Sequence, residues 1–209
     1  MHNKFTLNKA TINPAYKKRA IIVDDFYQDP DYVRNFALSQ NLNAHPDFHK
    51  GYRTEDKFFA PNMKEVFQDI LGLKIKNWYN GPYCNAVFQY CTKDDELVYH
   101  TDGQDWAGAI YLTPDAPYTS GTSLWASKLQ RGARDGNDPN FDFNLVFPED
   151  RGCDPFLNQD FFEKVDDLGN VYNRLVLWDA NLIHAASEYF GTHPFNSRLF
   201  HLFFFDVEK

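Results

Sequence analysis

The chain has 209 residues, of which 43% are hydrophobic and 17% aromatic, with 20 phenylalanines; this excludes a disordered chain and suits one globular domain over residues 1–209, since such a length buries about 70% of its unfolded surface. The formal net charge of -8 removes long-range attraction to a phosphate backbone or an anionic bilayer, so neither duplex nucleic acid nor a membrane is an expected partner. Cys84, Cys91 and Cys153 have no CxxC spacing, and Cys84 and Cys91 would leave opposite faces of one continuous strand, so no disulfide framework is expected.

The opening MHNKFTLNKATINPAYKKRA lacks the apolar centre of a leader peptide, and no run of about 18 apolar residues occurs. The expectation is a soluble protein of a reducing, cytoplasmic compartment. Oligomeric state is not legible.

From Ala20 the chain reads AIIVDDFYQDP, a short β-branched strand broken at Asp29-Pro30. Asp29 is a helix cap and Pro30 a first helical residue, and Val33, Phe36 and Ala37 then supply one apolar face, so a helix is predicted to about Gln40. Residues 41–61, NLNAHPDFHKGYRTEDKFFAP, are rich in turn formers without a steady period and are predicted as loop. In NMKEVFQDIL, residues 62–71, Met63, Val66, Phe67 and Ile70 form a helical stripe that ends at Gly72.

Beyond Gly81 the texture becomes that of strands: CNAVFQYC, AGAIYLT, GTSLWAS, YNRLVLWDA, LIHAASEYF and SRLFHLFFFD. Short β-branched and aromatic runs separated by Gly, Pro, Asp and Asn predict a sandwich or barrel. The fold class is therefore mainly β with N-terminal helices (α+β): helical support over about 20–80 and a β core over about 81–207. A polar, turn-rich insertion over about 127–169 interrupts that core, and an insertion this long is expected to line or cover a site.

The stretch YHTDGQDW, residues 99–106, contains an HxD pair. About one such pair is expected by chance in a chain with this much His and Asp, and a second copy exists at His45-Pro46-Asp47, so context has to decide. The second copy lies in the predicted loop with proline between its arms. His100 and Asp102 instead sit where the chain leaves one strand for another, and residues two apart on a strand share a face. His184, just after RLVLWDA, is the candidate third arm; two imidazoles and one carboxylate on one face of iron form the facial triad of non-haem Fe(II) oxygenases. His193, in a turn, and His201, on the strand face opposite Arg198, are weaker third ligands.

Arg198 opens the last strand and shares a face with Phe200, Leu202 and Phe204, while Leu199, His201, Phe203 and Phe205 share the other. A guanidinium among such neighbours needs an anion, supplied either by a protein carboxylate or by a ligand.

The order HxD, a distant His in RLVLWDANLIHAA, then Arg at the start of a terminal strand resembles the 2-oxoglutarate and Fe(II)-dependent oxygenases, most closely their prolyl-hydroxylase-like branch. The resemblance covers about residues 85–206 and leaves the insertion unmatched. It implies a double-stranded β-helix, that is, a jelly-roll or cupin-like core, and an Fe(II)-, 2-oxoglutarate- and O2-dependent hydroxylase acting on a peptide side chain, an amino acid or a small metabolite. It also implies that His100, Asp102 and His184 ligate iron, that Arg198 clamps the distal carboxylate of 2-oxoglutarate, and that Tyr111 and Tyr90 approach the same cosubstrate. The distance from His184 to Arg198 is longer than is usual in that branch.

Rival readings are a non-catalytic β-sandwich binding or structural module, which would bind neither iron nor cosubstrate, and a cupin-type metalloenzyme that shares the triad but not 2-oxoglutarate. A protein carboxylate opposite Arg198 would favour the latter. Tyr90 and Tyr111 have an alternative place in an aromatic core, as do Trp106 and Trp125, the candidate walls of a substrate pocket. Nothing in their spacing selects Asn85, Gln104, Arg53 or Arg131 as substrate contacts.

Overall fold

A computed structural model describes residues 19–44, 50–81 and 84–208; the second HxD copy, at residues 45–47, lies outside them. Two antiparallel sheets dominate. The larger runs in the order β1 (Ala20–Val23), β9 (Leu175–Asp179), β6 (Trp106–Tyr111), β11 (Arg198–Val207), β5 (Val87–Cys91), β3 (Tyr52–Thr54) and β2 (Leu42–Ala44), with β4 (Ile75–Lys76) also paired to β11. The smaller runs β10 (His184–Ala186), β7 (Thr122–Ser127), β8 (Phe162–Leu168). Two sheets closing on one buried interior are consistent with the expected jelly-roll core, and helix is a minor component. No helix among the described residues is long and apolar enough to cross a membrane.

Alternation along β11 explains the chain's use of phenylalanine. Leu199, Phe203 and Phe205 pack outward with Phe67, Trp78 and Phe88, beneath the two longer helices. Phe200 and Leu202 point inward with Val87, Tyr111, Leu124 and Trp178, into the space between the sheets. Each such ring or branched chain, fully buried, contributes about 1.5–3 kcal/mol.

Helix α1 spans Pro30–Leu38, with the Asp29 side chain accepting from the Tyr32 amide at 2.9 Å. It stops short of Gln40 because Ser39 and Gln40 turn their amides onto Phe36 and Ala37 in tighter i→i+3 bonds. Helix α2 spans Met63–Leu71 and ends at Gly72, whose φ of 70° is left-handed. Its buried residues are Met63, Phe67 and Leu71, a four-residue spacing, whereas Val66, expected in the apolar stripe, is 42% exposed.

Two predicted boundaries are corrected. Residues 41–61 are not all loop, since β2 and β3 lie within them and lengthen the larger sheet through Tyr52↔Tyr90 and Arg53↔Gln89 pairings. The expected insertion is likewise shorter, because β8 pairs with β7 along Thr122↔Leu168 to Ser127↔Phe162. Within the remainder, α3 (Phe143–Val146) brings Val146 and Phe147 against Tyr99, Trp125 and Phe162 on the outer side of the smaller sheet. These aromatics support that sheet from behind.

Candidate functional site

His100 and His184 form an antiparallel bridge, with His100 N donating to His184 O at 3.1 Å and His184 N to His100 O at 2.9 Å. A pair that exchanges both bonds presents its side chains on one face, and the two rings stand 4.3 Å apart. That face is the interior one: His184 lies opposite Leu124 in the register and packs 5.3 Å from the ring of Trp178, while Tyr99 and Ala185 turn to the outer cluster. Asp102 is drawn to the same place by its amide, which donates to Ala180 O at 2.8 Å.

Both imidazoles are oriented through Nδ1, held at 3.0 Å from Val98 O in His100 and at 2.8 Å from Leu182 O in His184. Donation from Nδ1 leaves Nε2 as the ligating nitrogen of each ring, aimed inward at Asp102. His184 Nε2 then lies 3.3 Å from Asp102 Oδ2, and His100 Nε2 lies 3.6 Å from Asp102 Oδ1. Asp102 Oδ2 is buried and accepts no hydrogen bond. Lone pairs converging in this way are reconciled only by a proton or a cation between them.

One ligand atom from each of the three residues lies within 4.8 Å of the others, so the set can hold a metal ion. Loss of hydration, then the neighbouring His184, pushes the His100 pKa down, which favours the neutral ligating form. Burial alone would raise the Asp102 carboxyl; a proton on the His184 or His100 imidazole, with the Gln104 side chain, outweighs it and holds the group below the ordinary carboxylate range, and a metal ion in that proton's place acts in the same direction.

Arg198 lies further along the same interior. It is 4% exposed, donating from Nε to Ser120 O at 2.7 Å and from Nη2 to Gly121 O at 3.0 Å and Thr122 Oγ1 at 3.4 Å. These acceptors carry partial charges only, and no carboxylate among the described residues pairs with the guanidinium. Of the two expected counter-ions, the protein carboxylate is therefore absent among the described residues. Tyr111 is fully buried, its hydroxyl 3.0 Å from Thr122 Oγ1 and its ring centre 5.2 Å from the Arg198 guanidinium carbon. Burial pushes its phenol pKa up, so the hydroxyl stays neutral.

Tyr90 is not brought to this interior. It pairs with Leu199, one position out of phase with the Cys91↔Arg198 pair, and it belongs to the helix-side core, where it stacks on Tyr52 at 4.7 Å. The second tyrosine beside Arg198, after Tyr111, is instead Tyr189, at 5.9 Å; it lies beyond β10 in a segment whose sequence carries no periodic signal. Trp106 and Trp125 occupy the helix-side and outer cores, and the tryptophan next to the triad is Trp178. His201 points to the helix side, 2.7 Å from the Tyr27 hydroxyl. Asn85 ties Trp78 O to the Phe204 amide, and Arg131 is exposed.

No protein-family model and no curated protein matches the chain. Solved structures do. HygX from Streptomyces hygroscopicus, solved with nickel, 2-oxoglutarate and hygromycin B bound, aligns over 90% of this chain and 82% of its own, at 12% identity and a TM-score of 0.54. A prolyl hydroxylase from Trichoplax adhaerens, in complex with a hypoxia-inducible-factor peptide, aligns over 90% and 83% at 10% identity and a TM-score of 0.49. A Pseudomonas putida prolyl-4-hydroxylase aligns over 91% and 93% at 13% identity and a TM-score of 0.46. At such identity the likeness to HygX is one of fold: this chain is built like a protein that holds a metal and 2-oxoglutarate.

Proposed function

We propose that this chain is an Fe(II)- and 2-oxoglutarate-dependent dioxygenase that hydroxylates an unactivated C–H bond of a peptide side chain, an amino acid or a small metabolite. The observation that carries the reading is the pairing, in one interior, of a two-histidine, one-carboxylate cluster with a buried guanidinium that has no carboxylate partner among the described residues. A cupin-type enzyme without 2-oxoglutarate would leave the charge of Arg198 uncompensated, and a non-catalytic module would leave the converging lone pairs at Asp102 without a purpose.

In this reading His100, Asp102 and His184 would hold the iron, which would supply open coordination positions at which dioxygen is activated, the electrons coming from 2-oxoglutarate and the substrate C–H bond. Arg198 takes the distal carboxylate of 2-oxoglutarate through Nη1, the nitrogen not committed to Ser120 O, Gly121 O or Thr122 Oγ1, and the Tyr111 hydroxyl is the neutral donor beside it. Nδ1 contacts to Val98 O and Leu182 O keep both imidazoles from swinging out of the cluster. Trp178 and the apolar interior wall the reacting centre on the His184 side, while His100 is open to solvent on the other. The balanced reaction converts substrate C–H, O2 and 2-oxoglutarate into substrate C–OH, succinate and CO2, with one oxygen atom going to each organic product. Asp102→Ala is expected to abolish metal-dependent succinate formation; a variant that turned over 2-oxoglutarate like its parent would remove the basis for this reading.

A further inference from the structure

A second guanidinium faces the same interior. On β3 the ring of Tyr52 turns to the helix side and stacks on Tyr90, so strand alternation turns Arg53 inward, level with Gln89 on β5 and, one strand on, with Phe200. Gln89 is 5% exposed, and its amide has one orientation available: Nε2 donates to Lys50 O at 2.8 Å, which presents Oε1 to Arg53 Nε at 2.8 Å. Arg53 is thus held at a chosen angle by a buried partner that supplies no charge.

Arg53 is partly buried, and no carboxylate among the described residues pairs with it. Its electrostatic neighbours are Cys84, Cys91 and Tyr189, and Cys91 and Tyr189 also feel the charge of Arg198. Two like charges therefore share one interior wall with no anion between them among the described residues, an arrangement that costs free energy unless ligands supply the anions. In the proposed reaction the distal carboxylate of 2-oxoglutarate satisfies Arg198 alone. With Nε committed to Gln89 and the Cys84 thiol as its other side-chain hydrogen-bond partner, Arg53 has no fully charged acceptor among the described residues, and its Nη groups form a fork that matches one planar, singly charged carboxylate in place of that thiol.

We propose that Arg53 is a specificity-determining residue that holds the carboxylate of the substrate, and that the substrate is a small carboxylic acid. The catalytic part of this statement rests on the oxygenase reading, whereas the binding part stands on Arg53 and Gln89 themselves.

The test is calorimetric titration of the full chain, loaded with Ni(II) and saturating 2-oxoglutarate, with a panel of small carboxylic acids, free amino acids among them, and their carboxamides. At least one acid is expected to bind saturably and its amide about tenfold or more weaker, the cost of an unmet charge. Arg53→Gln should lose the acid by a similar factor while its affinity for 2-oxoglutarate stays within about twofold, and Arg53→Lys, which keeps the charge without the fork, should recover part of the loss. The proposal is overturned if no acid binds more tightly than its amide, if Arg53→Gln binds the acid like its parent, or if Arg53→Gln weakens 2-oxoglutarate instead. Should the parent fail to bind 2-oxoglutarate, the oxygenase reading falls; the same panel titrated without it still decides the role of Arg53.

Discussion

His100 and His184 face each other across a two-bond antiparallel bridge, 3.1 and 2.9 Å from amide to carbonyl. The metal cluster is thereby a property of sheet register. Slipping either segment by one residue would send one imidazole to the outer aromatic cluster, because side chains alternate with a period of two. The bridge also places the cluster on the interior face that Arg198 shares, so one register brings both halves of the proposed site together.

Arg198→Gln is expected to raise the KM for 2-oxoglutarate by about 30-fold or more, as loss of one partner in a buried charged pair costs about 2–5 kcal/mol. Arg198→Lys should recover little of this, since an ammonium cannot reproduce the bonds to Ser120 O and Gly121 O while meeting a carboxylate. Steady-state kinetics with varied 2-oxoglutarate checks it; an unchanged KM would contradict the assignment.

The two tyrosines separate by face. Tyr111→Phe removes a hydroxyl in the Arg198 pocket and should weaken 2-oxoglutarate by about 1 kcal/mol, roughly fivefold. Tyr90→Phe, on the helix side against Tyr52, should leave that affinity unchanged. Titration of both variants is decisive, because equal effects would mean that the strand alternation described for β5 is wrong.

His201 makes stability depend on pH. Burial on the helix side pushes its pKa from 6.5 down to about 3, so between these values the unfolded chain takes a proton that the folded chain refuses. Stability from this source is fully present above about pH 6.5 and is lost as pH falls toward 3, at up to about 1.4 kcal/mol per pH unit. Denaturation of the parent and of His201→Asn at pH 7, 6 and 5 is expected to show the parent losing more; parallel losses would contradict the burial of an uncharged ring.

What was legible in the sequence follows from local chemistry. Asp29-Pro30 and Gly72 mark helix ends through capping and a left-handed residue, and both do so in the structure. The alternation RLFHLFFFD separates the two faces of β11 because each face is buried against a different layer. Strands β2 and β3 were hidden because three residues are too few to show a period. β8 was hidden because FEKVDDL exposes five consecutive residues between two buried ends. Tyr90 was misplaced because distance along the chain does not say which face of β5 a residue takes; that depends on the Cys91↔Arg198 pairing. Tyr189 and Arg53 reach the interior only through long-range sheet pairing and loop return, which no local pattern records.

The most direct test is oxygen-free titration of the chain with Fe(II) and then 2-oxoglutarate, beside His184→Ala. The parent should bind one Fe(II), and 2-oxoglutarate should bind the metal-loaded form more tightly than the metal-free form, while His184→Ala should lose about 100-fold or more in Fe(II) affinity, at the upper end of what disturbing a metal site costs. If the parent binds no Fe(II), or if His184→Ala binds it equally well, the cluster at His100, Asp102 and His184 is not a metal centre.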